Sequence, residues 1–281
     1  MKAQARQFCR QVLNRRAVRY DEDGLRHSAI VFSPHFDDET LGCGGTILRK
    51  KKAGAPVTIV FMTDGSKSHT HLISEEQSRT MRRQEGRAAG RALGLREDDI
   101  LLLDFEETKL EEHWEAACSR VREILIDQRP DDVFIPYRKE PLLWSADHRA
   151  TNRIVVSALR AIGRKTRVYE YPIWFWCHWP WVRFPLRRRR EIIRHWIDHG
   201  PLRSVDLLRD FRCAIPVKEV VECKRAVLAE HKSQMTRLLP DVQWRTLRDV
   251  ADGEFLACFF QDCEVFHTYL LPHGSRDSEH V

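Results

Sequence analysis

Short apolar runs of buried-strand type recur along the chain, and each is followed by a stretch with helical spacing. "SAIVFS" (28–33), "PVTIVFM" (56–62), "ILLLD" (100–104), "DDVFIP" (131–136) and "RVYEY" (167–171) are rich in β-branched and aromatic side chains. "SAIVFS" and "PVTIVFM" in particular are near-continuous apolar runs rather than alternating ones, as strands covered on both faces are. Between successive runs, "ETLGCGGTILRKKKAG" ends in basic residues and closes on Gly54, while "SEEQSRTMRRQEGRAAGRALG" opens with acids and closes on Gly94. Both are the end signals of helices. "EEHWEAACSRVREILIDQ" and "DHRATNRIVVSALRAIG" repeat the helical period. This alternation predicts an α/β fold, a Rossmann-like three-layer sandwich with a mainly parallel sheet. A helical extension (1–27) precedes it and an aromatic and basic insertion (172–200) interrupts it. Beyond the insertion, a strand near "VDLLRDFRCAIPV" and a helix over "KEVVECKRAVLAEHKSQ" return to the main body, so one domain over 1–281 is expected.

Composition narrows the classes. With 42% hydrophobic and 31% charged residues the chain is an ordinary globular one, with enough apolar content to order itself. No apolar run approaches the ~20 residues of a membrane-spanning helix. The richest segment, "YPIWFWCHWPWVRFPL", is broken by Pro172, Pro180 and Pro185. The first residues lack the apolar core of a secretory signal, so the expected location is cytoplasmic. The 8 cysteines include no C-x-x-C pair and read as buried free thiols. A net charge of +6 is too mild to imply nucleic acid. The cluster Arg187 to Arg190 reads as a solvated helix face or as a peripheral contact with an anionic membrane.

In such a fold the loops at the carboxyl ends of the strands form the ligand crevice. The first of them carries "SPHFDDE" (33–39). His35 and Asp38 stand three apart, so a chain that begins to coil there points both to one side, as a chelating pair requires, and turns Asp37 away. Three successive acids repel one another, and a bound cation would offset that repulsion. A third ligand would complete three protein groups plus water, the open pattern of catalytic zinc. His148, in "SADHRATN" after the fourth strand, is its natural supplier. A dinucleotide site is disfavoured. "GCGG" (42–45) lacks the G-x-G-x-x-G spacing and has acids ahead of it, so its glycines are expected to let the helix pack closely on the sheet.

"SPHFDDETLGCGGTI", "TDG" (63–65), "RRQEGRAAGRALG", "ADH" (146–148) and "KRAVLAEHKSQ" (224–234), in this order, resemble the PIG-L/LmbE family of zinc-dependent N-acetylglucosaminyl deacetylases. The resemblance spans roughly 28–234. It implies one zinc held by His35, Asp38 and His148, Asp37 as general base, and Arg82 at the active site. It also implies a hydrolase that removes the N-acetyl group from an N-acetylated amino sugar. Asp64, in the "TDG" turn, and Trp174, in the aromatic insertion, are the expected substrate contacts. Phe36 stands where the family commonly has proline, and Ser145 where many members carry a histidine. With that histidine gone, Asp37 is the expected proton shuttle and His231 the supporting candidate. Asp147 is expected to orient an imidazole, that of His148 or of His231. Trp174, Trp176, Trp179 and Trp181 read as packing, as a sugar-stacking wall, or, with the arginines, as a membrane-facing surface. The alternatives are an amidase of a thiol-conjugate or other non-sugar amide on the same zinc, and a non-catalytic sugar-binding relative.

Overall fold

The computed structural model describes residues 2–20, 22–141, 146–182, 202–240 and 243–271. In chain order the strands are β1 (Val18–Arg19), β2 (Ala29–Ser33), β3 (Val57–Thr63), β4 (Ile100–Phe105), β5 (Asp132–Pro136), β6 (Thr166–Tyr171), β7 (Cys213–Pro216) and β8 (Cys263–Leu271). The helices are α1 (Lys2–Arg16), α2 (Asp38–Lys52), α3 (Glu75–Ala92), α4 (Trp114–Gln128), α5 (Ala146–Ile162), α6 (Leu202–Asp210), α7 (Val221–Leu228), α8 (Lys232–Met235) and α9 (Glu254–Ala257). The strands form one sheet in the order β1-β7-β8-β6-β5-β2-β3-β4. From β6 to β4 every pairing is parallel, and only β8 runs antiparallel, against both β6 and β7.

Successive side chains of a strand point to opposite faces, and the core divides accordingly. Val31, Ile59, Phe61 and Phe134 face the layer that contains α2 and α3. Ile30, Phe32, Val60, Val133 and Ile135 face α4 and α5. Both faces are covered, which is why these runs read as continuous apolar stretches.

Several expectations need correction. The strand in "VDLLRDFRCAIPV" is only Cys213–Pro216, and the residues before it form α6. The helix over 218–234 is a short 3-10 turn followed by α7 and α8, with a break at 229–231. The N-terminal extension is helical only to Arg16 and then adds β1 to the sheet. Strand β8 was not anticipated. Within the insertion Trp176 and Trp181 are buried edge-to-face at 4.8 Å, so they are core, while Trp179 is exposed. Arg187 to Arg190 lie outside the described residues, of which no helix is long and apolar enough to cross a membrane.

The glycines of "GCGG" do permit close approach. A Cβ on Gly42 would stand 2.4 Å from Tyr171 Cδ2. The Tyr171 ring is fully buried and fixed by its hydroxyl, which donates to the Phe32 carbonyl at 2.7 Å. Gly42→Ala is therefore expected to cost about 1–3 kcal/mol from overpacking, against a gain of up to about 1 kcal/mol in helix propensity. A lowered denaturation midpoint with unchanged m-value checks this.

Candidate active site

The chain lays β3 and β4 on one side of β2, then crosses back to place β5 and β6 on the other. The gap between β2 and β5 is thus the switch point where open α/β sheets bind ligands. It holds His35 and Asp38 after β2, and His148 in the first turn of α5, after β5.

These three converge. Asp38 Oδ2 lies 3.3 Å from His35 Nδ1 and 3.2 Å from His148 Nε2, and the two imidazole nitrogens are 3.3 Å apart. A tetrahedral ion bound at about 2.0–2.1 Å separates its ligands by about 3.3 Å, so the triangle has the edges that such an ion requires. Among the described residues this is the one cluster of His, Cys, Asp or Glu with metal-ligand spacing. Two imidazoles and a carboxylate suit zinc or a similar divalent ion. Burial opposes the charge on Asp38, but His148 and His35 outweigh it and hold its pKa well below the usual carboxylate range.

Around the triangle lies a supporting shell. Asp147 orients His35, not His148 or His231. Its Oδ2 sits 3.2 Å from His35 Nε2 and accepts the Thr108 amide at 2.7 Å, and its Oδ1 accepts the Leu110 amide at 3.3 Å. Burial would lower the His35 pKa, but the Asp147 and Asp38 carboxylates raise it well above the usual imidazole value. Glu39, the acid with no assigned task in the sequence, is fully buried. It accepts the Asp37 amide at 2.9 Å and the Thr40 hydroxyl at 2.6 Å, and it lies 2.9 Å from His231 Nε2.

Asp37 sits at φ 126°, in the region that side chains rarely occupy. Glu39 on its amide and Arg82 on its side chain hold it there. Arg82 Nη2 donates to the Phe36 carbonyl and, at 3.2 Å, to Asp37 Oδ2, and Arg82 Nη1 faces Glu85 at 3.5 Å. Burial pushes the Asp37 pKa up to about 7, with Arg82 pulling the other way and Asp38 adding to the rise. Phe36 fills a buried slot 4.5 Å from the Phe61 ring, beneath Gly65 and Gly86. A Cβ on Gly86 would stand 2.3 Å from the Phe36 ring. The "TDG" turn and the α3 glycine thus make the room that a phenylalanine in the proline's position needs.

The site opens into a cavity of about 520 Å³, a size usual for small-ligand sites, with His148, Glu39 and Phe36 buried behind its lining. His35, Asp37, Asp38, Arg82 and Trp174 line it. Asp64 and His231 do not. Asp64 is spent on the Ser66 and Glu107 amides and on Arg79, at 3.0–3.2 Å. His231 is fully buried against Glu39 and reaches the site only through Glu39 and the Asp37 amide. Trp174 stacks on Phe255 at 4.8 Å and forms an apolar wall with Ile173, Leu247 and Val250. Ser145 lies outside the described residues. Glu107 and Thr108, in the loop after β4, also line the cavity, as do Arg245, Thr246, Leu247, Val250 and Phe255 of the segment 245–255, and none of them belongs to a motif of the sequence. Nothing in the pattern of that last segment could have announced its place there.

Residues 30–159 match the family model for PIG-L, GlcNAc-PI de-N-acetylase. More particularly, the chain is 25% identical over 221 residues to a probable N-acetyl-alpha-D-glucosaminyl L-malate deacetylase 2 of Bacillus cereus, covering 77% of this chain and 87% of that protein. It is also 28% identical over 135 residues to a diacetylchitobiose deacetylase of Thermococcus kodakarensis, covering 48% of this chain and 49% of that one. In fold it resembles the solved N,N'-diacetylchitobiose deacetylase of Pyrococcus horikoshii, with a TM-score of 0.62 at 20% identity over 97% of this chain and 93% of the other.

Proposed function

We propose that this chain is a zinc-dependent deacetylase of N-acetylated amino sugars, with His35, Asp38 and His148 as the metal ligands and Asp37 as the general base. The observation that carries the reading is the His35–Asp38–His148 triangle beside Asp37 on the wall of the cavity. The relatives, named as deacetylases of N-acetylglucosaminyl malate and of diacetylchitobiose, supply the substrate class. A zinc ion in the triangle supplies a Lewis acid and makes water acidic enough to ionise near neutral pH.

The chain's own residues do the rest. Asp37 takes a proton from the attacking water as its oxygen bonds to the acetamide carbon. It then returns that proton to the nitrogen as the C–N bond breaks, releasing the amine and acetic acid, whose proton passes to the amine or to solvent to leave acetate. Arg82 and Glu39 keep Asp37 in one orientation, Asp147 does the same for His35, and His231 acts at one remove by holding Glu39. Trp174 offers its ring to a sugar face. Asp64 braces the "TDG" turn against Arg79 and the β4 loop.

Acetate release from a panel of N-acetylated amino sugars tests the reading. Release is expected with zinc, lost with a chelator and restored by added zinc, and His35→Ala is expected to purify without the metal. Absence of release from every sugar by zinc-loaded protein would overturn it.

A further inference from the structure

Two arginines line the cavity, Arg82 and Arg245. Arg82 is committed to Phe36, Asp37 and Glu85. The neighbouring cations off the wall are paired as well: Lys67 with Glu75 and Glu106, Arg79 with Asp64 and Glu76, and Arg237 with Asp249. Arg245 differs, because its exposed guanidinium has no acid partner among the described residues.

Its backbone, by contrast, is firmly held. Its carbonyl accepts from His69 Nε2 at 2.8 Å, and that ring stacks on the buried Trp244 at 4.2 Å. Trp244 Nε1 donates to the Ser233 carbonyl at 2.9 Å. On the other side the Thr246 amide donates to Asp249 Oδ2 at 2.8 Å. A flexible cation is thus mounted on a fixed strap at the cavity wall, with the Ser68 hydroxyl and the Gln234 amide on the same wall. Four acids, Asp37, Asp38, Glu107 and Asp147, also line the cavity. A negative group on a ligand is repelled by those acids except at a bound metal, and finds its complement at Arg245.

We infer that Arg245 reads an anionic substituent, a carboxylate or a phosphate, borne by the group attached to the amino sugar. This rests on the deacetylase reading of the cavity and narrows it, since an uncharged disaccharide would leave Arg245 idle. Guanidinium hydrogen bonds to carboxylate or phosphate are charge-assisted and contribute about ten- to a hundredfold in affinity.

The test compares wild type with Arg245→Ala on N-acetylglucosaminyl malate, N-acetylglucosamine 1-phosphate and diacetylchitobiose, which present a carboxylate, a phosphate and no charge. We expect KM for at least one anionic substrate to rise about ten- to a hundredfold with kcat little changed, and KM for diacetylchitobiose to stay as it was. The anion that shows the effect names the chemistry, and Arg245→Lys should restore part of it. Diacetylchitobiose as the preferred substrate of the wild type, or an equal loss on charged and neutral substrates, would overturn the inference. Equilibrium binding of the same three compounds separates it from the parent reading. If none is hydrolysed but an anion binds at least tenfold more tightly than diacetylchitobiose in an Arg245-dependent way, the deacetylase reading fails and the anion site stands. If the anions bind no better than the neutral sugar, the anion site fails.

Discussion

Asp37→Ala is expected to lower kcat by about a hundred- to ten-thousandfold, the range over which a single positioned acid–base group acts, while zinc content stays at the wild-type level. The two effects separate because Asp37 is not a corner of the ligand triangle, whose three edges close without it. Its side chain is fixed instead by Arg82 at 3.2 Å. Asp37→Asn is the sharper variant, since it keeps the shape and the Arg82-facing oxygen and removes only the basicity. The pH profile gives a second readout. Burial raises the Asp37 pKa to about 7. A base works when ionised, so kcat/KM should climb with pH and level off once Asp37 has lost its proton. A cation in the neighbouring triangle stabilises that ionised form, so the climb should be centred at or below about 7. Zinc analysis beside the rate measurement decides the matter: activity lost together with the metal would make Asp37 a ligand, and activity retained would remove it from the chemistry.

Strands β2, β3 and β5 were legible because both faces of each are covered, which leaves near-continuous apolar runs, whereas β4 and β6 each carry one exposed polar position, Asp104 and Arg167, within a run that is still mostly apolar. Strand β8 was not legible, because "CEVFHTYLL" mixes Glu264, His267 and Thr268 into a strand whose burial alternates. Two-residue β1 has too little sequence to carry a pattern. At the site, the three-residue step between His35 and Asp38 was readable locally, and the position of His148 after a later strand followed from the crevice rule. What spacing cannot convey is which way a side chain points once distant segments pack. Asp64 and His231 sit in motifs that reach the site, yet the loop after β4 claims one and Glu39, 192 positions away from His231, claims the other. Asp147 shows the same limit, since it serves His35, 112 positions away, rather than its neighbour His148.

The same long-range packing sets the second large effect, at the middle of α2. Lys224 and Glu264 form a buried pair at 2.7 Å, and both also bond to the helix backbone. Glu264 accepts the Gly45 amide, the Thr46 amide and the Thr46 hydroxyl at 2.6–2.8 Å, while Lys224 donates to the Leu41 carbonyl at 2.8 Å. Gly45 N–H and Leu41 C=O are the two ends of one helical step, so the ion pair sits on both, one turn beyond Asp38. The small residues at 44 and 45 leave it room: a Cβ on Gly44 would stand 3.1 Å from Lys224 Cγ, and one on Gly45 the same distance from Glu264 Oε1. Removing one charge strands the other without water, so Lys224→Met is expected to destabilise the fold by about 3–5 kcal/mol. Replacing both partners removes the stranded charge, and the amides and carbonyl they served can pair along the helix. The double variant Lys224→Met/Glu264→Leu should therefore be more stable than Lys224→Met alone, although it carries one more substitution. Denaturant unfolding of the two single variants and the double supplies the cycle. Additive losses would show that the pair is not energetically coupled. A double variant that recovers stability would show that the charges are costly singly and tolerated only as a pair.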